Sequence, residues 1–375
     1  MKLLFTNFHA GDGGGHTTYV VALARGLAAR HDVHVAAPPG SRLNREARDL
    51  GSVAVLDQPF PNGLGKWAAR RRALHQLKRY LREQAFDIVH VNGSADHRLV
   101  MAAVRGLPRR PAIVLTKHNS KPMTGIGHRW RARFGTDMVI AVCEFVRHQL
   151  EASPYARCRV ATVFNGVDIH RFVPVDPPAG ERAGWLAPTG EGEALVIGSN
   201  AGTARYKGWM DLLEGLALLA PGECERFRVV LAGGLPGGEE LARIQELGLS
   251  HLVTFTGRLD DVRPMVAGLD AGFVLSWDVE TISFACREMM AMGKPVLVSD
   301  YAGLPENIRP GIDGWVVPVR DREAIAGALR GLWERRAGLA SMGDAARAHA
   351  EARFGLEHFV DETERAYQAL LSSRA

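Results

Sequence analysis

With 46% hydrophobic and 23% charged residues, a chain of 375 residues is not disordered, and its length favours two α/β domains of similar size over a single core. The net charge of +5 is unevenly divided: residues 1–165 hold 25 Lys and Arg against 11 Asp and Glu, so the first half suits an anionic partner. The sequence contains no apolar stretch long enough to span a membrane, no secretory start and no metal-ligand spacing among its four cysteines, and we therefore expect a cytoplasmic protein with reduced thiols and no metal.

Apolar strands and helices alternate through the first half. A glycine-rich turn separates the predicted first strand from the predicted helix Thr17–Ala29. The predicted strands are continuously apolar rather than alternating, as in a parallel sheet covered on both faces. Strand, glycine turn, helix and strand form the βαβ unit of a doubly wound fold. The predicted strands of this half are Lys2–Phe8, Val33–Ala37, Ile88–Val91, Ile113–Thr116 and Met138–Val142.

The segment Lys66–Arg82 is strongly basic, with seven Lys and Arg and no acidic residue. Trp67, Leu74, Leu77 and Leu81 recur at helical spacing, so the segment is predicted to be a basic amphipathic helix. It favours docking on anionic lipid headgroups at the inner face of a membrane or on a phosphorylated glycolipid acceptor, with a merely solvated arginine-rich face as the alternative. Nucleic acid is not an expected partner, because basic charge without a recognised binding module is weak evidence.

A second aromatic and basic cluster follows at Arg129–Arg133. We interpret it as an extension of the same basic surface.

The stretch 173–192 is rich in Pro and Gly and is predicted to link two domains. The predicted domains are residues 1–172 and residues 193–355, with 356–375 as a helix that packs back on the first domain. Two Rossmann-like domains would then face each other across a cleft, where strand ends meet and a ligand binds. The predicted strands of the second domain are Ala194–Ser199, Arg228–Gly233, Val253–Gly257, Ala271–Ser276 and Pro295–Ser299.

Two glutamates stand at the start of a predicted helix in the second half. Glu280 lies in the turn after a strand, and Glu288 follows eight residues later inside the helix. A carboxylate at such a place can accept hydrogen bonds from a diol such as a ribose. The backbone NH groups near the helix start favour an anionic phosphate; they belong to Thr281, Ile282, Ser283 and Phe284.

This spacing, followed by MMAMGKPVLVSDYAGLPENI, resembles the donor-site signature of glycosyltransferase family 4. The resemblance implies the GT-B fold, an α/β architecture of two Rossmann-like domains, and transfer of a sugar with retention of configuration. It implies that Glu288 binds the nucleotide ribose and that Glu280 lies near the donor sugar and diphosphate. Lys207 matches the Lys-Gly of a second family motif and would neutralise the leaving diphosphate.

One family position is changed. The arginine that precedes the family lysine by five residues is Gly202 here, so either Arg205 supplies the guanidinium or the site uses one cation. We assign Arg205 and Arg258 to the donor-binding set.

The family resemblance extends to the first half of the chain. Gly14 and Gly15 lie in a glycine-rich loop that can bring NH groups to the acceptor or to the donor phosphate, with Thr17 or Thr18 as the expected cap of the next helix. His118 aligns with a family histidine that contacts the donor sugar, and we count it with Glu280 and Lys207 as catalytic. His16 and His90 are expected on the acceptor side.

The predicted protein is thus a metal-independent glycosyltransferase without a cofactor, acting on a nucleotide-sugar donor and a glycan or glycolipid acceptor. Lipopolysaccharide core or O-antigen assembly suits a basic, peripheral membrane protein. The alternatives are a sugar-nucleotide epimerase of the same fold and a non-catalytic sugar-nucleotide binding protein. A nicotinamide dehydrogenase is disfavoured, because the glycines lack the GxGxxG spacing. The oligomeric state stays open.

Overall fold

The computed structural model describes residues 1–11, 13–63, 65–178, 180–186 and 194–374. The chain forms two compact units: unit 1 is Met1–Gly166 with Leu356–Ala375, and unit 2 is Val167–Gly355. The chain therefore passes from one unit to the other before the stretch 173–192 that the sequence predicts as a linker. Positions 179 and 187–193 of that stretch lie outside the described residues, as does position 12 in the glycine-rich loop.

The strands and helices of unit 1 alternate along the chain. The strands described are β1 (Lys2–Thr6), β2 (Asp32–Ala37), β3 (Ala54–Asp57), β4 (Ile88–Val91), β5 (Ala112–Lys117), β6 (Met138–Ala141) and β7 (Arg159–Thr162). The helices described are α1 (Gly14–Leu27), α2 (Arg42–Asp49), α3 (Trp67–Gln84), α4 (Ser94–Ala103), α5 (Ile126–Phe134) and α6 (Glu144–Glu151), joined near the end of the chain by α15 (Leu356–Ser372).

The sheet of unit 1 is parallel, with the order β3-β2-β1-β4-β5-β6-β7. Its direction of growth reverses between β1 and β4, so a crevice opens at the carboxyl ends of these two strands. The inner strands are buried at nearly every position, as expected of strands with both faces covered, whereas the edge strands β3 and β7 are not. The last helix belongs to this core, where Phe359, Val360, Tyr367 and Leu370 are buried.

Unit 2 repeats the alternation. Its strands are β8 (Leu195–Ser199), β9 (Phe227–Ala232), β10 (Val253–Gly257), β11 (Ala271–Val274), β12 (Val296–Ser299) and β13 (Gly314–Val317). Its helices, in the part that the structure describes, are α7 (Glu181–Leu186), α8 (Trp209–Leu216), α9 (Pro221–Cys224), α10 (Gly238–Glu246), α11 (Arg263–Ala267), α12 (Phe284–Ala291), α13 (Arg322–Glu334) and α14 (Leu339–Phe354).

The parallel sheet of unit 2 has the order β10-β9-β8-β11-β12-β13, which reverses between β8 and β11. Helix α7, inside the predicted linker stretch, packs on this unit: Trp185 is buried, and Arg182 donates a hydrogen bond of 2.7 Å to Asp270. A buried indole gives this Pro- and Gly-rich stretch an anchor that its composition does not reveal.

Helix α1 begins three residues earlier than predicted. Its first residue is Gly14 and its N-cap is Gly13, which has a φ of 66° and makes no side-chain cap. A side chain at position 13 would collide with the hydroxyl of Thr17. The prediction that Thr17 or Thr18 caps this helix is therefore wrong, because glycine itself turns the chain into the helix and Thr17 is buried within it.

Candidate functional site

The two charged groups predicted to be catalytic in unit 2 are paired with each other. Lys207 follows β8 and Glu280 follows β11, the two strands between which the sheet order reverses. The Nζ of Lys207 donates to Oε2 of Glu280 over 2.6 Å, and both side chains are largely buried. Ligands of doubly wound sheets bind at this crevice. We call Lys207, Glu280, Glu288 and Asn200 the donor cluster.

The backbone beside Lys207 depends on a glycine. Gly208 has a φ of 73°, and a Cβ at this position would collide with the carbonyl oxygen of Leu275. The indole of Trp209 is buried and donates from Nε1 to the carbonyl of Thr203 over 2.9 Å. The lysine is therefore set by a turn that allows close approach of its backbone to the end of β11.

Glu280 also shapes the loop that precedes α12. Its Oε1 accepts hydrogen bonds from the backbone NH groups of Thr281, at 3.2 Å, and Ser283, at 3.3 Å. On the other side of the loop, Nδ2 of Asn307 donates to the carbonyl of Ile282 over 2.7 Å. Ser283 has a φ of 49°, a strained conformation that such contacts can maintain. The predicted donor loop is thus held from both sides, and α12 begins at its end with Phe284.

Glu288 has a partner that the sequence argument missed. Nδ2 of Asn200, directly after β8, donates to Oε2 of Glu288 over 2.7 Å. Burial raises the pKa of Glu288 to about 7, although the hydrogen bond from Asn200 and the charge of Arg171 act against this shift. A polar residue immediately after a strand was the available signal for Asn200. Both carboxylates of the donor cluster therefore contact a nitrogen donor from the chain segment that follows β8.

The other predicted donor residues are more exposed. Arg205 is exposed in the short turn that ends at Lys207, and Arg258 is exposed after the edge strand β10. Gly202 has a φ of 89° with open space where a side chain would begin. An arginine at position 202 would therefore be strained by backbone conformation, not by crowding.

Unit 1 contains a cavity of about 460 Å³ next to the strands where its own sheet reverses. Two predicted residues, His16 and His118, line it, together with Asn92 after β4. Their rings lie close, with 4.3 Å between the centroids of His16 and His118. The structure therefore brings His16 and His118 together in what we call the unit 1 cavity.

His118 is positioned by Asn92, whose Oδ1 lies 2.8 Å from its Nε2. The backbone NH of Asn92 in turn donates to the buried carboxyl of Asp96 over 2.8 Å. Burial, together with the nearby groups His16, His90 and Lys117, holds the pKa of His118 well below its usual value. Burial likewise lowers the pKa of His16 to about 4, so both rings are neutral at pH 7.

His90 lies in the interior instead of on a ligand-facing surface. Its Nδ1 bonds to the hydroxyl of Tyr367 and its Nε2 lies 2.6 Å from the hydroxyl of Thr116. Burial lowers the pKa of His90 to about 3. With both nitrogens engaged and the ring 1% exposed, any part in acceptor binding is indirect, through the position of Thr116 on the cavity wall.

The expected surface cluster at Arg129–Arg133 is divided by the structure. Ile126, Trp130 and Phe134 of α5 are exposed, whereas Arg131 is 7% exposed and lines the unit 1 cavity. The interpretation of Arg131 as part of the basic surface is therefore wrong: the apolar stripe of this helix faces solvent and the arginine faces inward.

Helix α3 contains the predicted basic segment. Ala73, Leu77 and Leu81 are buried, but Trp67 is 73% exposed and does not belong to the packed face. The arginines at 70, 71 and 72 are exposed. Gly14 and Gly15 are exposed in the first turn of α1.

Two family models match the chain. The model described as Glycosyltransferase Family 4 matches residues 13–171, and the model described as Glycosyl transferases group 1 matches residues 192–335. The chain belongs to glycosyltransferase family 4. Across nearly its whole length this glycosyltransferase is 27% identical to the phosphatidyl-myo-inositol mannosyltransferase of Mycobacterium leprae, covering 96% of this chain and 94% of the relative.

Solved structures share the fold of this glycosyltransferase. Anabaena HepE in complex with UDP has a TM-score of 0.78 at 19% identity, covering 98% of this chain and 100% of the other. The lipopolysaccharide outer core galactosyltransferase WaaB in its apo form has a TM-score of 0.69 at 17% identity, covering both chains fully. The GT-B architecture predicted from the sequence is thereby confirmed. Among the residues that the structure describes, no helix is both long and apolar enough to cross a membrane.

Proposed function

We propose that this glycosyltransferase takes a sugar from a nucleotide-sugar donor bound at the donor cluster and transfers it, with retention, to a glycan or glycolipid acceptor. The observation that carries the proposal is the pairing of Lys207 with Glu280 and of Asn200 with Glu288 at the reversal point of the second sheet. Family membership supports it, as does the structural likeness to HepE in complex with UDP.

Lys207 is the cation that the leaving diphosphate would meet. Its charge is balanced by Glu280 at 2.6 Å. A diphosphate oxygen would share this ammonium group, which carries three donors and can contact both anions. As charge develops on the leaving group, a fixed ammonium in a partly buried site stabilises it. Glu280 then orients the lysine and the sugar hydroxyls, and no covalent step at this carboxylate is needed.

Glu288 is suited to the ribose. A carboxylate accepts one hydrogen bond at each oxygen from the two hydroxyls of a diol, and Oε2 already receives Asn200. In the ionised form both oxygens remain acceptors, so ribose binding favours loss of the proton that burial retains near pH 7. No metal is part of this scheme.

The acceptor belongs to a cell-envelope glycan or glycolipid, with lipopolysaccharide core or O-antigen as the expected pathway. The fold shared with an outer core galactosyltransferase and the sequence similarity to a mannosyltransferase named for a phosphatidylinositol are both compatible with a lipid-linked acceptor.

A peripheral membrane contact is a second part of the proposal. The exposed arginines at 70, 71 and 72 of α3 and the exposed apolar side chains of α5 place positive charge and apolar surface on unit 1. Anionic headgroups attract such a segment by about 1 kcal/mol for each cation near the surface. The protein would then act from the cytoplasmic face of the membrane.

The test of donor use is a panel of UDP-, GDP- and ADP-sugars. We expect one nucleotide to raise the melting temperature of the full chain, since a ligand of the folded state stabilises it by mass action. Glu280→Ala should retain nucleotide binding and lose transfer, with the exposed Glu239→Gln of α10 as the control. Unchanged turnover in Glu280→Ala would remove Glu280 from the mechanism. Acceptor-free conversion of the donor to an epimer would favour the epimerase alternative.

The membrane contact is tested by sedimentation with vesicles of phosphatidylglycerol and phosphatidylcholine. We expect Gln at 70, 71 and 72 to abolish binding to the anionic vesicles. The matched control replaces the exposed arginines 330, 335 and 336 of unit 2, which removes the same charge elsewhere. Equal loss in both variants would mean that net charge, and not α3, governs binding.

A further inference from the structure

The unit 1 cavity is basic to a degree that histidine chemistry alone does not explain. Five histidines, two lysines and an arginine line it, and no Asp or Glu does so among the described residues. Two of these cations, Lys117 and Arg131, are almost fully buried. A buried cation is normally paired with a carboxylate. The positive charges of Lys117 and Arg131 therefore need a partner that balances them.

Among the residues that the structure describes, Arg131 bonds through its side chain to neutral groups only. Its Nη2 lies 3.0 Å from the ring of His128, and its Nε lies 3.4 Å from the hydroxyl of Tyr155. Burial and the arginine charge lower the pKa of His128 to about 4, so that ring carries no charge at pH 7. Within the described residues, no carboxylate lies at ion-pair distance from Arg131. The guanidinium thus keeps an unbalanced charge beside the cavity.

Lys117 repeats this situation from the end of β5. Its Nζ donates to the side-chain oxygen of Asn119 and to the carbonyl of Lys121, both neutral acceptors. Burial lowers its pKa to about 8. Two neutral acceptors orient the ammonium without cancelling its charge, so the lysine remains available to an anion.

The same wall carries polar atoms without a hydrogen-bond partner. The Nε2 of His9 and the Nδ1 of His16 are buried and unbonded within the part of the chain that the structure describes. Both residues line the cavity. Buried polar atoms are normally satisfied, and each exception needs an explanation such as a ligand. An imidazole NH is a good donor to an oxyanion.

We propose that the unit 1 cavity binds a phosphate monoester carried by the acceptor, with Lys117 and Arg131 as the residues that select it. A phosphate offers several strong acceptor oxygens, and a guanidinium donates to it in a fixed fork. That the phosphorylated molecule is the acceptor rests on the proposed function, whereas the phosphate site itself does not depend on it. The acceptor would then be a glycan or glycolipid that carries a phosphate monoester, and a neutral glycan would not be selected.

The experiment titrates inorganic phosphate into the full chain by calorimetry, in the Lys207→Ala background so that the donor cluster does not contribute. We expect saturable binding that weakens at least tenfold in Arg131→Gln. The matched control is Arg129→Gln, which removes one exposed arginine from the same helix and should change the affinity less than twofold. Lys117→Gln should also weaken binding.

The melting temperature of each variant is measured to show that it is folded. Arg131→Lys is a further control, because it retains the positive charge at this position. It should bind phosphate more tightly than Arg131→Gln does. Absence of saturable binding in the parent, or equal weakening in Arg129→Gln, would overturn the proposal.

Nucleoside diphosphate binding is measured on the same variants with Lys207 restored. If the chain with Lys207 restored and no other substitution binds no nucleotide, this result would contradict the proposed function but not the phosphate site. Tighter binding of acetate than of phosphate would contradict the phosphate site alone.

Discussion

Each unit has polar side chains near the carboxyl ends of its parallel strands, but the cations of the two units have opposite kinds of partner. In unit 2 the cation Lys207 is neutralised by Glu280 at 2.6 Å. In unit 1 the buried cations Lys117 and Arg131 bond to neutral groups only, as far as the described residues show. The same kind of fold thus contains a charge-balanced site in unit 2 and a positively charged site in unit 1.

The difference teaches how each site can respond to an anion. A balanced pair must be partly reorganised when a diphosphate arrives, and its carboxylate limits how strongly the anion binds. A cation without a carboxylate partner keeps its full electrostatic attraction for the anion. Transient binding suits a product that must leave, whereas strong selection suits an acceptor that must be recognised.

The largest effect is expected at the balanced pair. Lys207→Ala removes the cation that meets the leaving diphosphate and leaves Glu280 without its partner. We expect turnover to fall by about 10²- to 10³-fold, as when one preorganised donor to developing charge is lost. Release of nucleotide from the donor, with and without acceptor, measures it.

Normal turnover in Lys207→Ala would show that the family lysine has no role here. The comparison between the two units would then lose its basis.

The next effect concerns Glu288 and pH. Because burial raises its pKa to about 7, the folded chain holds a proton that the unfolded chain has released above pH 4.5. Stability of the ligand-free chain should therefore fall as pH rises from 4.5 to 7, by about 3 kcal/mol from this group. Ribose binding favours the ionised form, so nucleotide affinity should rise through pH 7. Calorimetry at pH 6, 7 and 8 measures this trend.

Glu288→Gln is the control for that trend, since glutamine does not titrate. It should bind nucleotide about tenfold more weakly and without the rise through pH 7. An unchanged pH profile in this variant would assign the trend to another group.

A smaller effect is expected for a substitution that destabilises unit 1 without changing the donor cluster of unit 2. Tyr367→Phe removes the hydroxyl that bonds Nδ1 of His90 and leaves this buried nitrogen unsatisfied. We expect a loss of about 1–2 kcal/mol in the free energy of unfolding, measured by urea denaturation. Nucleotide affinity should stay unchanged, because the substitution lies in unit 1. A parallel loss of nucleotide affinity would show that the units are not independent.

The smallest effect is expected at Arg205. Its side chain is exposed in the turn before Lys207, and solvent screens an exposed charge. We expect Arg205→Ala to reduce turnover only about threefold, within the modest range of exposed ion pairs. A loss as large as that of Lys207→Ala would mean that Arg205 replaces the family arginine missing at Gly202.

The fold was largely predictable from the sequence, because continuous apolar strands and glycine turns dictate a doubly wound sheet. The positions of Glu280 and Glu288 on either side of the start of one helix were predictable as well. Their partners were not, since Asn200 meets Glu288 across 88 residues of chain. Only the order of strands in the sheet brings those segments together.

Helix α5 shows why sequence patterns failed in unit 1. Ile126, Trp130 and Phe134 recur at helical spacing and would normally mark a buried face, but all three are exposed. Arg131 is buried instead, beside the small Ala132. A periodic pattern identifies a face of a helix but not what covers that face. The inward orientation of Arg131 could therefore be recognised only from the structure.

The return of the chain to unit 1 has a consequence for biosynthesis. Helix α15 covers the core with Phe359 and Tyr367, but it leaves the ribosome only after every residue of unit 2. During translation the face around His90 therefore stays exposed until α15 has been synthesised. Unit 2 is one continuous stretch of chain and can complete its own core before then. We expect the nascent first half to be the part of this protein that needs a chaperone.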